Sequence, residues 1–198
     1  MNTKFLTTAA VLALSVSTGA QASLWARTGG MVYDDVNKIT WAADANLAQT
    51  SGYDADGKMT WDTAVAWANN LDYAGYTDWV LPTIDQLITQ FSTNLGEVAD
   101  ESIADSHNAN FDLFKNVKSY VYWSGSEDAN PGLAWLFGTG GGFQNINFKY
   151  FQSYAWAVRP GDVAAASAPA AVPLPAATWL FLSGLVGVLG FNRRKNIG

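Results

Sequence analysis

Two apolar stretches, one at each end, confine the fold to the chain between them. Lys4 precedes the apolar run Phe5–Val16, and Ala20-Gln21-Ala22 fits the small-x-small rule for leader cleavage. Residues 1–22 therefore read as a signal peptide, with the mature chain starting at Ser23. The run is too short to span a bilayer. At the other end, Ala176 to Phe191 is sixteen residues without a charge. At about 1.5 Å per residue it covers roughly 24 Å of a hydrocarbon core about 30 Å thick. Part of Val172-Pro173-Leu174-Pro175 would complete the span at the interface. Trp179 fits as an interfacial anchor, and Arg193, Arg194 and Lys195 as the cytoplasmic flank. We expect a C-terminal transmembrane helix that holds an exported precursor in the inner membrane. Nothing polar recurs at helical spacing in this stretch, which argues against an amphipathic or core helix.

Residues 164–171 are Ala, Ser and Pro and read as a linker. What remains, 23–163, is one domain, long enough to bury a real core. All seventeen acidic residues of the chain fall inside it, against seven basic ones, a net of −10. Such a field repels polyanions and excludes nucleic acid as a partner. With no cysteine, stability must come from packing. Eight of the nine tryptophans lie in the domain, enough for a dense core or a sugar-stacking surface.

Along the domain, Met31–Tyr33 and Ile39–Trp41 read as a hairpin. The frame Tyr-Asp-x-x-x-Lys-x-Thr-Trp occurs at Tyr33–Trp41 and again at Tyr53–Trp61, a recurring turn chemistry rather than a repeat fold. Trp61, Ala64, Val65, Ala68 and Leu71 follow helical spacing behind Thr60 as N-cap. Trp79–Leu81 reads as a short strand. Thr83 and Gln86 form a capping box for a second helix with Ile84, Leu87, Ile88 and Phe91 on its apolar face. Ser92–Asn110 is loop-like, with a short helix expected at Phe111–Val117. Tyr120–Trp123, Leu133–Phe137, Phe143–Phe151 and Tyr154–Val158 read as strands, with Ile146, Phe148 and Tyr150 alternating with polar neighbours. Two helices followed by a looped antiparallel sheet make an α+β domain.

No catalytic constellation emerges. His107 is the sole histidine and has no nucleophile motif around it, so neither a Ser–His–Asp triad nor a zinc site is expected. Asp54 and Asp56 offer oxygen ligands for Ca²⁺, but the twelfth position of an EF-hand count from Asp54 is Val65. A solvated turn is the simpler reading. Gly138–Gly142 lacks the Lys-Ser/Thr of a phosphate loop and reads as a hairpin turn. Trp123 and Trp135, with Asn145 and Asn147, are the candidate ligand contacts: an aromatic face for sugar C–H surface and amides for hydroxyls. Core packing is the default role for these tryptophans, and for Trp156 with them. Arg159 is expected to pair with a carboxylate structurally.

The tail Val172–Gly198 resembles the PEP-CTERM sorting signal in its VPLPA variant, with Leu174 where that family has a glutamate. The resemblance implies cleavage by an exosortase-type enzyme near the proline motif and release to the surface of an exopolysaccharide-producing cell. TWDTAVAWANNL (60–71), GYTDWVLPT (75–83), YWSGSE (122–127) and AWAVRPG (155–161) resemble the Lcl C-terminal-like domain. That resemblance implies a C-type-lectin-like fold and a surface-binding role. Ala68 stands where members often carry a cysteine, and Val80 where they carry an arginine. One kind of member binds sulfated glycosaminoglycans, which the acidity here argues against. The expected function is glycan binding at the cell surface or in the exopolysaccharide layer, of a neutral or weakly charged glycan. The alternative is a structural or protein-interaction module of the envelope matrix. An enzyme is not expected.

Overall fold

A computed structural model describes residues 24–163. The leader with Ala20, Ala22 and Ser23, the linker and the sorting tail from Val172 to Lys195 lie outside the described residues. Among the described residues, no helix is long and apolar enough to cross a membrane.

The domain is α+β, with two sheets. The first contains β1 (Leu24–Arg27), β2 (Met31–Asp34), β3 (Ile39–Ala42) and β9 (Val158–Pro160), in the order β1-β2-β3-β9. The second contains β4 (Lys58–Met59), β5 (Val121–Glu127), β6 (Leu133–Gly138), β7 (Phe143–Phe148) and β8 (Ser153–Tyr154), in the order β4-β8-β5-β6-β7. Three short helices pack against them: α1 (Leu47–Thr50), α2 (Trp61–Asn69) and α3 (Ile84–Ile88).

Local chemistry explains the helix starts. Thr60 caps α2 by accepting from the Thr63 amide. Thr83 and Gln86 form the expected capping box at α3. After Ile88 the chain widens into a π-helical turn, Thr89–Asn94, where Leu95 N–H reaches Gln90 O. That widening turns Gln90 and Asn94 inward towards Asp34, which is fully buried. The Asp34 carboxylate accepts from the Val36 and Asn37 amides and from the Asn37 and Asn94 side chains. Four donors offset its desolvation without a cation.

The repeated frame is a repeated turn. Asp34 Oδ1 accepts from the amides two and three residues on, and Asp54 Oδ1 does the same from Asp56 and Gly57. Each turn delivers a buried tryptophan at its end, Trp41 and Trp61.

Trp156 joins the two sheets. It lies in the crossing between β8 and β9, wholly buried, and donates from Nε1 to Ala42 O at 2.7 Å. Its ring meets Trp41 at 4.9 Å and Phe114 edge-on at 5.1 Å. Phe91 and Tyr122 complete the cluster, each at 5.8 Å. In a domain without disulfides, this aromatic cluster is the staple.

Several expectations are corrected. The second sheet is not wholly antiparallel, because β5 and β8 pair in parallel at Tyr122 and Tyr154. Tyr154–Val158 is not one strand: it divides between the two sheets, and the buried Ala155–Ala157 link carries no alternation. Trp79–Leu81 makes only an isolated bridge, Val80 to Val158. The short helix falls at Ala109–Leu113 as a 3-10 turn. Strand β7 stops at Phe148, where the Phe151 amide turns back to Phe148 O.

An exposed aromatic ledge as the candidate functional site

Strand β7 is the outer edge of the second sheet, paired on one side only, with β6. The register sets Ile146 opposite Trp135 and Phe148 opposite Leu133, so these four share one face. Gln144 continues the same row. Trp135 is partly exposed, and Ile146 and Phe148 are exposed.

Beyond Phe148 the chain turns and adds Tyr150 and Phe151, 67% and 46% exposed beside 49% for Phe148. Tyr150 lies nearly parallel to both phenylalanines, 5.2 Å and 5.0 Å between centroids, with interplanar angles of 15° and 27°. Phe148 and Phe151 are 6.5 Å apart. Those three separations form a triangle rather than a column. Tyr150 therefore rests across the seam between the two phenylalanines and offers its outer face to solvent.

The residue between the rings holds the ledge in place. Lys149 N–H donates to Gly132 O, and Lys149 O accepts from the Trp61 amide. Its ammonium meets Glu127 at 2.8 Å and lies 4.1 Å above the Trp61 ring. Trp61 is itself fixed by Nε1 donating to Ser124 O. Four anchors on one residue pre-order the rings beside it, which lowers the entropic cost of binding.

Two of the outward main-chain donors of this edge are occupied. The outward amides of Ile146 and Phe148 are taken by the Oδ1 atoms of the preceding Asn145 and Asn147, at 2.8 Å and 2.9 Å. Occupied donors make this edge a poorer template for strand addition.

The sequence candidates fall as follows. Trp123 is fully buried and donates from Nε1 to Met59 O, so it is core. Trp135 lies on the ledge face. Asn145 and Asn147 stand opposite Leu136 and Ala134, on the other face from Trp135, and serve the edge. Asp54 and Asp56 accept amide hydrogens of their own turn. Among the described residues, no three metal-ligating acids or histidines gather. His107 is exposed, and its ring lies 4.1 Å from the Phe111 ring, tilted by 47°. Arg159 grips Asp78 with two bonds of 2.8 Å and 2.9 Å and lies on the Tyr76 ring. That grip holds the Asp78 carboxyl below the usual carboxylate range.

Reading strands by alternation missed the ledge, because it straddles a strand end. The available signal was three aromatics in four positions, Phe148 to Phe151, where the chain turns.

A buried acid lies elsewhere. Glu97 is 7% exposed and neither carboxylate oxygen makes a well-formed hydrogen bond. Burial pushes its pKa up to about 7, and the nearby Gly142 amide relieves only part of that.

No match was found among curated proteins. The sequence model of the Lcl C-terminal domain family matches residues 30–159, which takes in the second sheet, the ledge, and β2 and β3 of the first sheet. The chain belongs to the Lcl C-terminal domain family.

Proposed function

We propose that this domain is a non-enzymatic glycan-binding module with a C-type-lectin-like fold, displayed at a bacterial surface or in its exopolysaccharide layer. The glycan is neutral or weakly charged and lies on the ledge of Phe148, Tyr150, Phe151 and Trp135. The leader exports the chain. The PEP-CTERM-like tail anchors it as a precursor in the inner membrane until an exosortase-type enzyme acts near Val172–Pro175.

One observation carries the ligand reading: Tyr150, two-thirds exposed, lies flat on two fixed rings. A flat aromatic face matches the C–H face of a pyranose. Gln144 on the same face supplies amide groups for hydroxyls. The net acidity of the domain favours an uncharged glycan over a sulfated one.

The test uses the full chain in detergent, run by affinity electrophoresis through neutral and sulfated polysaccharides, with and without Ca²⁺. The neutral gel should retard it. Tyr150→Ala should weaken retention about tenfold, on the order of 1.4 kcal/mol, with little change in melting temperature. Retention by no glycan, or undiminished retention of Tyr150→Ala, would overturn the reading. Light scattering separates the alternative. A protein-interaction module would self-associate or bind protein through the same rings without binding glycan.

A further inference from the structure

A concavity lies at the other end of α2 from the Lys149 contact. It has a volume of about 290 Å³ and its lining includes Ser51, Tyr53, Trp67, Asn70 and Asp72. It is separate from the ledge. Lys149 covers Trp61 at the start of α2, whereas Trp67 and Asn70 belong to its last turn and C-cap. From Trp61 to Asn70 the helix rises roughly 13 Å.

The chemistry of this cleft is one-sided. Trp67 is buried and forms an apolar floor. The Tyr53 ring stands 6.5 Å from it, tilted by 53°, and is 54% exposed. The one charge in the lining is the Asp72 carboxylate. Asn70 donates one Nδ2 hydrogen to Ala66 O, which leaves Oδ1 and the second Nδ2 hydrogen for a ligand. Ser51 Oγ donates to Ala48 O and keeps its lone pairs. Asp72 makes no ion pair or hydrogen bond among the described residues, and no lysine or arginine lines the cleft. A carboxylate beside an open aromatic face, with further acceptors and no cation, is complementary to an ammonium group. The net charge of −10 across the domain raises the local concentration of such a ligand. The volume is at the small end for ligand clefts, about 300 Å³ and upward, and suits one sugar ring.

We infer that this cleft binds a sugar unit bearing a free, protonated amine, as in a de-N-acetylated glucosamine polymer. The ammonium sits between the Asp72 carboxylate and the Tyr53 ring, and Asn70 and Ser51 accept from ring hydroxyls. This site is independent of the ledge and does not need the ledge ligand to be correctly assigned.

Calorimetry on the full chain in detergent decides it, with glucosamine oligomers, their fully N-acetylated counterparts and a tri-lysine peptide as probes. The amine oligomer should bind, and the acetylated one at least tenfold more weakly. Asp72→Asn and, separately, Tyr53→Leu should each weaken the amine oligomer tenfold or more. All probes are run on the Tyr150→Ala background, in which the ledge is disabled, so failure here is distinguishable from failure of the ledge. Equal binding of the acetylated oligomer, or no effect of either cleft variant, overturns the assignment. Equal binding of tri-lysine also overturns it, since the cleft would then read ammonium groups without regard to the sugar.

Discussion

Two glycines in one loop isolate a single steric contact. Gly52 and Gly57 both have left-handed backbones, with φ of +78° and +82°. A side chain at either position carries the same conformational penalty, about 1 kcal/mol net. Their surroundings differ completely. A Cβ on Gly52 meets nothing within 4 Å, whereas one on Gly57 comes within 1.8 Å of Asn46 Oδ1. Asn46 is fully buried, and its Nδ2 donates to Gln49 Oε1 and Asp56 O. Displacing it breaks both hydrogen bonds of a fully buried amide, at about 1 kcal/mol or more each. Gly52→Ala should therefore lose about 1 kcal/mol and Gly57→Ala about 3–4 kcal/mol. Urea titration followed by tryptophan fluorescence measures both. With a slope of about 2 kcal/mol per molar, the two midpoints should differ by roughly 1 M. Equal midpoints would mean that Asn46 is not held as described, and the account of this loop would fail.

Two further outcomes follow from buried and edge groups. Glu97 has its folded pKa raised from 4.5 to about 7 by burial, so the folded state favours its protonated form. Its contribution is therefore fully present below about pH 4.5 and is lost as pH rises towards 7. Glu97→Gln should remove that decline and be the more stable protein at pH 8, by about 1–3 kcal/mol; a pH series of melting curves that is parallel for both proteins would refute it. At the edge strand, Asn145→Val with Asn147→Val frees the outward amides of Ile146 and Phe148. Light scattering should then detect concentration-dependent association, and a strictly monomeric double variant would show that the asparagine caps are not what keeps the edge apart.

How much of this was legible in the sequence depended on how local its cause was. The caps of α2 and α3 are written in Thr60, Thr83 and Gln86, because a cap needs only three or four neighbouring residues. The β2–β3 hairpin and the cores of β5 and β6 followed likewise from short β-prone runs. The missed features depend on distant partners. Strand β1 has an exposed middle and exists because β2 pairs with it. The π-helical turn is tied to Asp34, sixty residues upstream of Asn94. The division of Tyr154–Val158 between two sheets depends on Ala42, to which Trp156 donates. The site divided the same way. Trp135 could be placed on a strand by pattern, but whether Trp123 or Tyr150 meets solvent is decided by β4 and the turn at Phe151. A buried tryptophan and an exposed one have the same local sequence signature.

The ion pair between Arg27 and Asp162, bonded twice at 2.8 Å, joins the first strand to the residues just past the last one. Together with the β3–β9 ladder it brings the domain's entry and exit to one side. A body whose two ends emerge together can be suspended from a single tether. Drag on such a body is borne first by this clasp and by the first sheet.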